Sequence, residues 1–274
     1  MLKKFAGFIK KIISEVKKDD LFSSANDMTY KLFFSIFPFS IFLMSVVGFL
    51  NLDAELLTGQ ITSALPSALS EPARHFIQEI SRVKNANILS FSLIVSVYGA
   101  SSGFRTAMRS INKAYGQKDS RKFFVKIPVS MALVLIFAVI IIVSFVLLIF
   151  GNEIINLFCE NISENIFYMF IFDILRYVAS LLIVFISVIL INKLALYKNK
   201  KNSIKSLVPG TLFTVFSWFI ISWLFNIYIE NFTNYSALYG GIAAIIILML
   251  WLNIMCVVLL LGSEINAALE KQNK

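Results

Sequence analysis

The chain has 274 residues, of which 58% are hydrophobic, and its mean hydropathy is +0.80. Both values lie well above those of soluble globular proteins, so the sequence indicates an integral membrane protein. The formal net charge is +9, but the lysines and arginines cluster between apolar stretches. This pattern is typical of membrane topology, and no nucleic-acid partner is expected.

The first twenty residues predict a basic amphipathic helix. Apolar residues recur at spacings of three and four from Leu2 to Val16, and lysine pairs recur every seven residues on the opposite face. Such a helix lies on the inner leaflet, where each lysine gains about 1 kcal/mol from anionic lipid headgroups. Docking onto a protein partner is the alternative role for the same pattern.

Six segments are long and apolar enough to cross the hydrocarbon core of a membrane. About 20 residues suffice for a helical span, and a helix satisfies its own backbone hydrogen bonds in lipid. The predicted spans are residues 32–50, 87–104, 127–150, 166–192, 206–229 and 238–262. The sequence therefore predicts an all-α membrane protein with a single six-helix transmembrane domain over residues 21–270.

The connection between the first two spans is long and is itself predicted to be helical. Pro66 and Pro72 divide residues 51–86 into two short segments, each with apolar residues along one side. We expect these segments to cap the outer face of the bundle.

The distribution of charge predicts that both termini are cytoplasmic. Seven basic residues precede the first span, seven lie between spans two and three, five between spans four and five, and two follow span six. The alternate loops hold only Arg74, Arg82 and Lys84. Because cytoplasmic loops retain lysine and arginine, the basic side faces the cytoplasm.

Ionisable residues, which lipid would reject, lie at the end of predicted span two and within predicted span four. Span two places Arg105 and Arg109 at its cytoplasmic end, and span four places Asp173 and Arg176 three residues apart on one face. The arginines of span two could bind phosphate headgroups or serve as ordinary positive-inside anchors. The pair in span four could line a polar path or simply neutralise itself and fix the helix register.

Spans five and six complete the set of polar faces. Span five contributes Trp218, Ser222 and Asn226, and span six contributes Asn253 and Glu264. Polar faces that meet enclose either a hydrogen-bonded core or a hydrophilic cavity, and both outcomes fit the pattern. With one histidine and two widely separated cysteines, no metal site or cofactor is expected.

Short motifs occur in a defined order from about Asp20 to Glu270. They are the run Tyr98 to Gly116 followed by Arg121, the run Leu207-Val-Pro-Gly210, the turn Tyr239-Gly-Gly241, Trp251, and the ending Gly262-Ser-Glu-Ile-Asn266. Their order resembles the YihY family of bacterial inner-membrane proteins, also called the BrkB virulence-factor family. One departure is Ser24-Ala-Asn-Asp27, where related proteins carry smaller and more apolar residues.

The resemblance implies a six-span protein of the bacterial cytoplasmic membrane, with links to the export of envelope lipids. The family once carried a ribonuclease label. Hydrolysis of RNA needs a general acid and base or a metal ion facing water, and the predicted cytoplasmic loops offer lysines, arginines and one isolated Asp119. We therefore expect no enzymatic activity.

Combined with the polar faces, the resemblance favours a transporter or flippase-like protein for lipids or other amphiphilic envelope components. Arg105 and Arg109 would attract an anionic headgroup at the cytoplasmic mouth of a groove, and Asp173 and Arg176 would act toward its outer side. A non-transporting envelope scaffold, which works as a homo-oligomer or with a protein partner, is the alternative hypothesis. A small-solute or ion channel is the third.

Overall fold

The computed structural model describes most of the chain as long helices. The described residues are 2–49, 86–149, 166–197, 204–231 and 241–272, together with Gly59, Arg74 and His75. Within these ranges the helices are α1 (Leu2–Lys18), α2 (Leu21–Phe49), α3 (Ala86–Ala114), α4 (Phe123–Ile149), α5 (Ile166–Ala195), α6 (Ile204–Asn231) and α7 (Gly241–Gln272). The predicted all-α class is confirmed. The predicted external cap, residues 51–86, lies almost entirely outside the described residues.

Four helices contain a stretch that is long and apolar enough to cross a membrane. These stretches are Phe123–Ile140, Tyr177–Ala195, Ile204–Tyr228 and Ile245–Gln272. They lie in α4 to α7 and correspond to the predicted spans three to six. Within the described residues, α2 and α3 are not selected on this basis, so spans one and two stay predictions.

Helices α2 to α7 close into a ring. Each of them contacts the next along the chain, and α7 contacts α2, while α3 also reaches α5 and α7. The most extensive contact is between α2 and α3, where Gly99 and Gly103 allow close approach: a Cβ atom on Gly103 would lie 3.0 Å from the Leu32 side chain. Helix α1 lies against α7 and α2.

Among the described residues, most of the buried side chains lie at one end of the ring. Successive helices are antiparallel, so this end contains the starts of α2, α4 and α6 and the ends of α3, α5 and α7, and we call it the packed end. Its fully buried side chains include Leu21, Met108, Ile111, Leu207 and Leu260. Helix α2 has 29 residues, or about 43 Å at 1.5 Å per residue, which exceeds a hydrocarbon core of about 30 Å. The helices therefore extend beyond their predicted spans, and the extensions pack together.

Many large apolar side chains on the described parts of the helices are exposed. Large side chains such as Phe91 and Ile94 on α3, and Phe219 and Trp223 on α6, are more than half exposed. An exposed apolar surface of this extent is unfavourable in water and favourable against lipid tails. The exposed residues of α3 show that this surface continues onto a helix outside the four apolar stretches.

Candidate functional site

A polar pocket lies at the packed end, between the start of α2 and the end of α3. Its volume is about 350 Å³, within the range of about 300–1,000 Å³ that is typical of small-molecule sites. The lining residues are Asp19, Asp20, Ser23, Ser24, Asp27, Thr106, Arg109, Ser110 and Lys113. Acids come from α2 and the turn before it, whereas the two cations come from α3. The pocket therefore offers both signs of charge on opposite walls.

Asp27 joins the two walls of this pocket. Its Oδ2 accepts hydrogen bonds from Lys31 Nζ at 2.6 Å and from Thr106 Oγ1 at 2.7 Å, and Arg109 Nη2 lies 3.5 Å away. Partial burial opposes ionisation, but the hydrogen bonds from Lys31 and Thr106 outweigh it and hold the pKa of Asp27 below its ordinary value. Asp27 is therefore a fixed negative charge that connects α2 to α3.

The two cations of α3 that line the pocket are about half exposed. The Arg109 side chain is 58% exposed and the Lys113 side chain is 48% exposed, and Lys113 Nζ lies 3.7 Å from Asp20 Oδ2. Contacts of this length between exposed groups are weak and are easily exchanged for another anion. A phosphate could therefore bind Arg109 and Lys113, because guanidinium and ammonium groups both donate charge-assisted hydrogen bonds.

Two exposed aromatic residues of α2 lie on the same helix face as Asp27. Asp27, Tyr30 and Phe34 occupy positions i, i+3 and i+7 of the helix and so share one face. Tyr30 and Phe34 are both more than half exposed, and their ring centroids lie 4.6 Å apart. A ligand with a charged headgroup in the pocket could therefore lay an apolar chain along this face.

The other predicted cation of span two points elsewhere. Arg105 is half-buried, and its Nη1 donates to Ser101 Oγ at 2.7 Å and to Ser130 Oγ of α4 at 3.3 Å. Its guanidinium also lies 5.4 Å from the centre of the Tyr98 ring. Arg105 thus binds α3 to α4, while Arg109 faces α2, and the structure does not bring the two arginines together.

Two of the predicted residues of spans five and six, Trp218 and Asn253, make interhelical contacts. Trp218 Nε1 on α6 donates to the Met255 carbonyl of α7 at 3.0 Å. Asn253 Nδ2 on α7 donates to Asn26 Oδ1 of α2 at 2.7 Å. On α6, Ser222 is half-buried and Asn226 is exposed.

The remaining predicted residues fall into two cases. Asp173 and Arg176 lie within α5, but their side chains are outside the part that the structure describes. Glu264 is buried at the end of α7, where its carboxyl group lies within hydrogen-bonding reach of Asp19. Among the residues that line the pocket, Arg109 is the one that the sequence singled out.

Buried amides and one arginine at the packed end have roles that sequence reasoning missed. Asn112 Nδ2 on α3 donates to the Ala195 carbonyl at 2.8 Å, and Asn266 Nδ2 on α7 donates to the Leu207 carbonyl at 3.0 Å. Arg121 donates to three carbonyls at the end of α5. The available signal was that all three residues lie in the motifs that carry the family resemblance.

These observations define the class of protein: an all-helical membrane protein with several apolar helices, whose outer surface is apolar and whose packed end carries a charged pocket. The sequence matches the family described as Virulence factor BrkB over residues 12–274. The chain therefore belongs to the BrkB family, and the resemblance inferred from its motifs is confirmed.

Individual relatives agree with this assignment. The chain is 31% identical over 270 residues to the ribonuclease-like protein YfkH of Bacillus subtilis, a match that covers 97% of this chain and 96% of the relative. It is 35% identical over 78 residues to a UPF0761 membrane protein of Pseudoalteromonas translucida, which covers 28% of this chain and 26% of that protein. No solved structure matches the chain significantly.

Proposed function

We propose that this protein spans the bacterial cytoplasmic membrane several times and moves lipids or other amphiphiles with charged headgroups, taking them up at the pocket between α2 and α3. One observation carries the proposal: Asp27, which lines the charged pocket, shares a face of α2 with the exposed aromatic side chains of Tyr30 and Phe34. A polar cavity joined to a lipid-facing apolar surface suits a molecule that is itself charged at one end and apolar at the other.

The proposed topology has six spans with both termini in the cytoplasm. The basic loops support this orientation, and the exposed Phe91 and Ile94 support α3 as a span although its described residues do not meet the apolar criterion. In this orientation the packed end and its pocket face the cytoplasm. The basic helix α1 then lies at the inner leaflet, where anionic headgroups attract its lysines.

The proposed path uses the pocket as its inner mouth. Arg109 and Lys113 hold the anionic part of the headgroup, and Asp20 and Asp27 suit an amine when the headgroup is zwitterionic. From there the path follows the predicted polar faces toward Asp173 and Arg176. The ribonuclease-like name belongs to one relative, and we propose no enzymatic reaction for this chain.

Lipid transfer in reconstituted vesicles tests this function. Purified protein is placed in vesicles that contain acyl-chain-labelled phosphatidylglycerol or phosphatidylethanolamine, and transfer between leaflets is followed by chemical quenching of the outer label. We expect the wild-type protein to accelerate transfer and Arg109→Gln to slow it on the order of tenfold, because a hydrogen bond to a charged group contributes about 1.5–3 kcal/mol.

A matched pair of variants separates the pocket from general charge. Lys113→Gln removes a cation that lines the pocket, whereas Lys118→Gln removes an exposed cation five residues further along the chain. We expect only Lys113→Gln to slow transfer. Equal rates with the wild-type protein and with protein-free vesicles, for both lipids, contradict the proposal.

A second candidate function is an envelope scaffold that transports nothing, as a homo-oligomer or with a protein partner. The observation that favours it is that several polar residues of the predicted groove bind neighbouring helices: Arg105 binds Ser130, Trp218 binds Met255, and Asn253 binds Asn26. Interhelical hydrogen bonds of this kind stabilise membrane bundles. Vesicles without transfer activity, together with a partner crosslinked to the protein in cells, would support the scaffold.

A further inference from the structure

Two acidic side chains are buried together where the turn between α1 and α2 meets α7. Asp19 is 5% exposed and Glu264 is 2% exposed, and their carboxyl groups lie within hydrogen-bonding reach of each other. Asp19 Oδ2 and Glu264 Oε1 are both buried without a hydrogen-bond partner among the described residues. Two carboxyl groups in these surroundings cannot both be charged unless a cation lies beside them.

The charged groups around the pair do not supply a cation that neutralises it. Lys271, seven residues after Glu264 in α7, donates to Glu15 Oε2 of α1 at 3.1 Å. This hydrogen bond holds the pKa of Glu15 below its ordinary value. Burial raises the pKa of the Tyr115 phenol, just after α3, and the charges of Glu270 and Glu264 raise it further. The surroundings of the pair are therefore rich in acidic groups, and the ammonium group of Lys271 is shared with Glu15.

Two ionised carboxylates cannot lie side by side away from water without a large electrostatic cost. When two carboxyl groups share a site, one of them retains a proton under conditions in which an isolated carboxyl group has lost it. The proton then donates a hydrogen bond from one carboxyl group to the other. This arrangement removes the repulsion and pairs at least one of the otherwise unpartnered oxygen atoms.

We propose that Asp19 and Glu264 form a proton-binding site in which the pair holds one proton between its two carboxyl groups. Asp19 also lines the pocket between α2 and α3, so the proton has a path to water. Release of the proton would leave two adjacent negative charges between the α1–α2 turn and α7, and would weaken that contact. The site thus connects the pH at the packed end to the attachment of α1 and α2 to α7.

Infrared spectroscopy of the full chain in lipid nanodiscs tests the proton directly. We expect a protonated-carboxyl stretching band that decreases as the pH is raised, and we expect Glu264→Gln and Asp19→Asn each to remove that titrating band. Asp27→Asn is the matched control, because Asp27 is already ionised beside Lys31 and Thr106. A titrating band that is unchanged in both pair variants would overturn the proposal.

Thermal unfolding against pH gives a second measurement that needs no variant. The folded pair binds a proton that the separated groups of the unfolded chain release at neutral pH, so the free energy of unfolding falls as the pH rises through the release step. We expect the midpoint temperature of unfolding of the wild-type protein to decrease as the pH is raised from about 5 to about 8. Glu264→Gln should flatten this decrease. A wild-type midpoint that does not fall over this range contradicts the site. Neither measurement depends on lipid transfer, so failure of the transport proposal leaves this result intact.

Discussion

Arg121 illustrates how one side chain can supply hydrogen bonds to several backbone carbonyls at the packed end. Its guanidinium donates to the carbonyls of Leu194 at 3.0 Å, Ala195 at 3.0 Å and Leu196 at 2.6 Å. The last carbonyls of a helix have no partner within the helix, so a cation at this position both satisfies them and interacts favourably with the helix dipole. The Tyr197 ring lies 5.8 Å from the same guanidinium.

Replacing Arg121 should therefore destabilise the junction between α3 and α5. We expect Arg121→Gln to lower the free energy of unfolding by about 1.5–3 kcal/mol, since it removes hydrogen bonds from a charged donor. Arg121→Lys should recover only part of this loss, because an ammonium group cannot reproduce the planar fork. Thermal unfolding in detergent measures both variants.

Lys122→Gln, at an exposed neighbouring position, is the control. Its free energy of unfolding should stay within about 0.5 kcal/mol of the wild-type value. An equal effect at both positions contradicts the capping role.

At the scale of elements, the crossing of α6 and α7 depends on two glycines and one asparagine. A Cβ atom on Gly210 would meet the Gly262 carbonyl and lie 2.6 Å from the Asn266 side chain, and a Cβ atom on Gly262 would meet Thr214 Oγ1. Asn266 Oδ1 accepts from Gly210 N at 2.6 Å. Because Pro209 has no N–H and interrupts the hydrogen bonds of α6, Asn266 supplies partners for the backbone around it.

We predict that Gly262→Ala and Gly210→Ala each destabilise the protein by at least about 1–3 kcal/mol, the usual cost of overpacking, because backbone atoms stand where the new methyl group would go. Gly7→Ala is the control, since nothing lies within 4 Å of a Cβ atom at that position of α1. That change should be neutral or stabilising by about 0.5–1 kcal/mol, because alanine favours a helix. Thermal unfolding of the three variants decides the matter, and equal effects would contradict the close crossing.

The sequence predicted the helices well and their rotation poorly. Apolar length and the loop positions located α4 to α7, and the run Leu207-Val-Pro-Gly210 was singled out as one of the motifs. The sequence did not reveal that Asn266 reaches this break from α7, or that Arg105 and Arg109 face different neighbours. Helix periodicity fixes which residues share a face, but the direction of that face depends on packing against every neighbouring helix.

The polar faces had two possible meanings, and the contacts separate them residue by residue. Trp218 and Asn253 contact neighbouring helices, as expected for a packed core. Arg109 lines a pocket together with Asp27, which the sequence marked only as a departure from the family pattern. A short polar residue near the start of a span can join the packing or open a cavity, and only the positions of its neighbours distinguish the two.

At the scale of the whole molecule, the basic loops and the tightly packed residues lie at the same end. The end of the ring that buries the most side chains among the described residues is also the end at which the basic loops gather, including the connection from α3 to α4 with Lys118, Arg121 and Lys122. Under the positive-inside rule we expect this end to face the cytoplasm. The pocket, the capping residues and the Asp19–Glu264 pair would then all face the same compartment.

Single-cysteine labelling tests this orientation. Cys159 and Cys256 are first replaced by serine and alanine, and a cysteine is then introduced by Lys118→Cys in the connection between α3 and α4 or by Arg74→Cys in the predicted external segment. Both positions are exposed. We expect a membrane-impermeant maleimide to label the Arg74→Cys protein in cells with an intact cytoplasmic membrane, and to label the Lys118→Cys protein only after that membrane is permeabilised. The reverse pattern would place the basic loops outside. Labelling of both proteins in intact cells would contradict the prediction that positions 118 and 74 lie on opposite sides of the membrane.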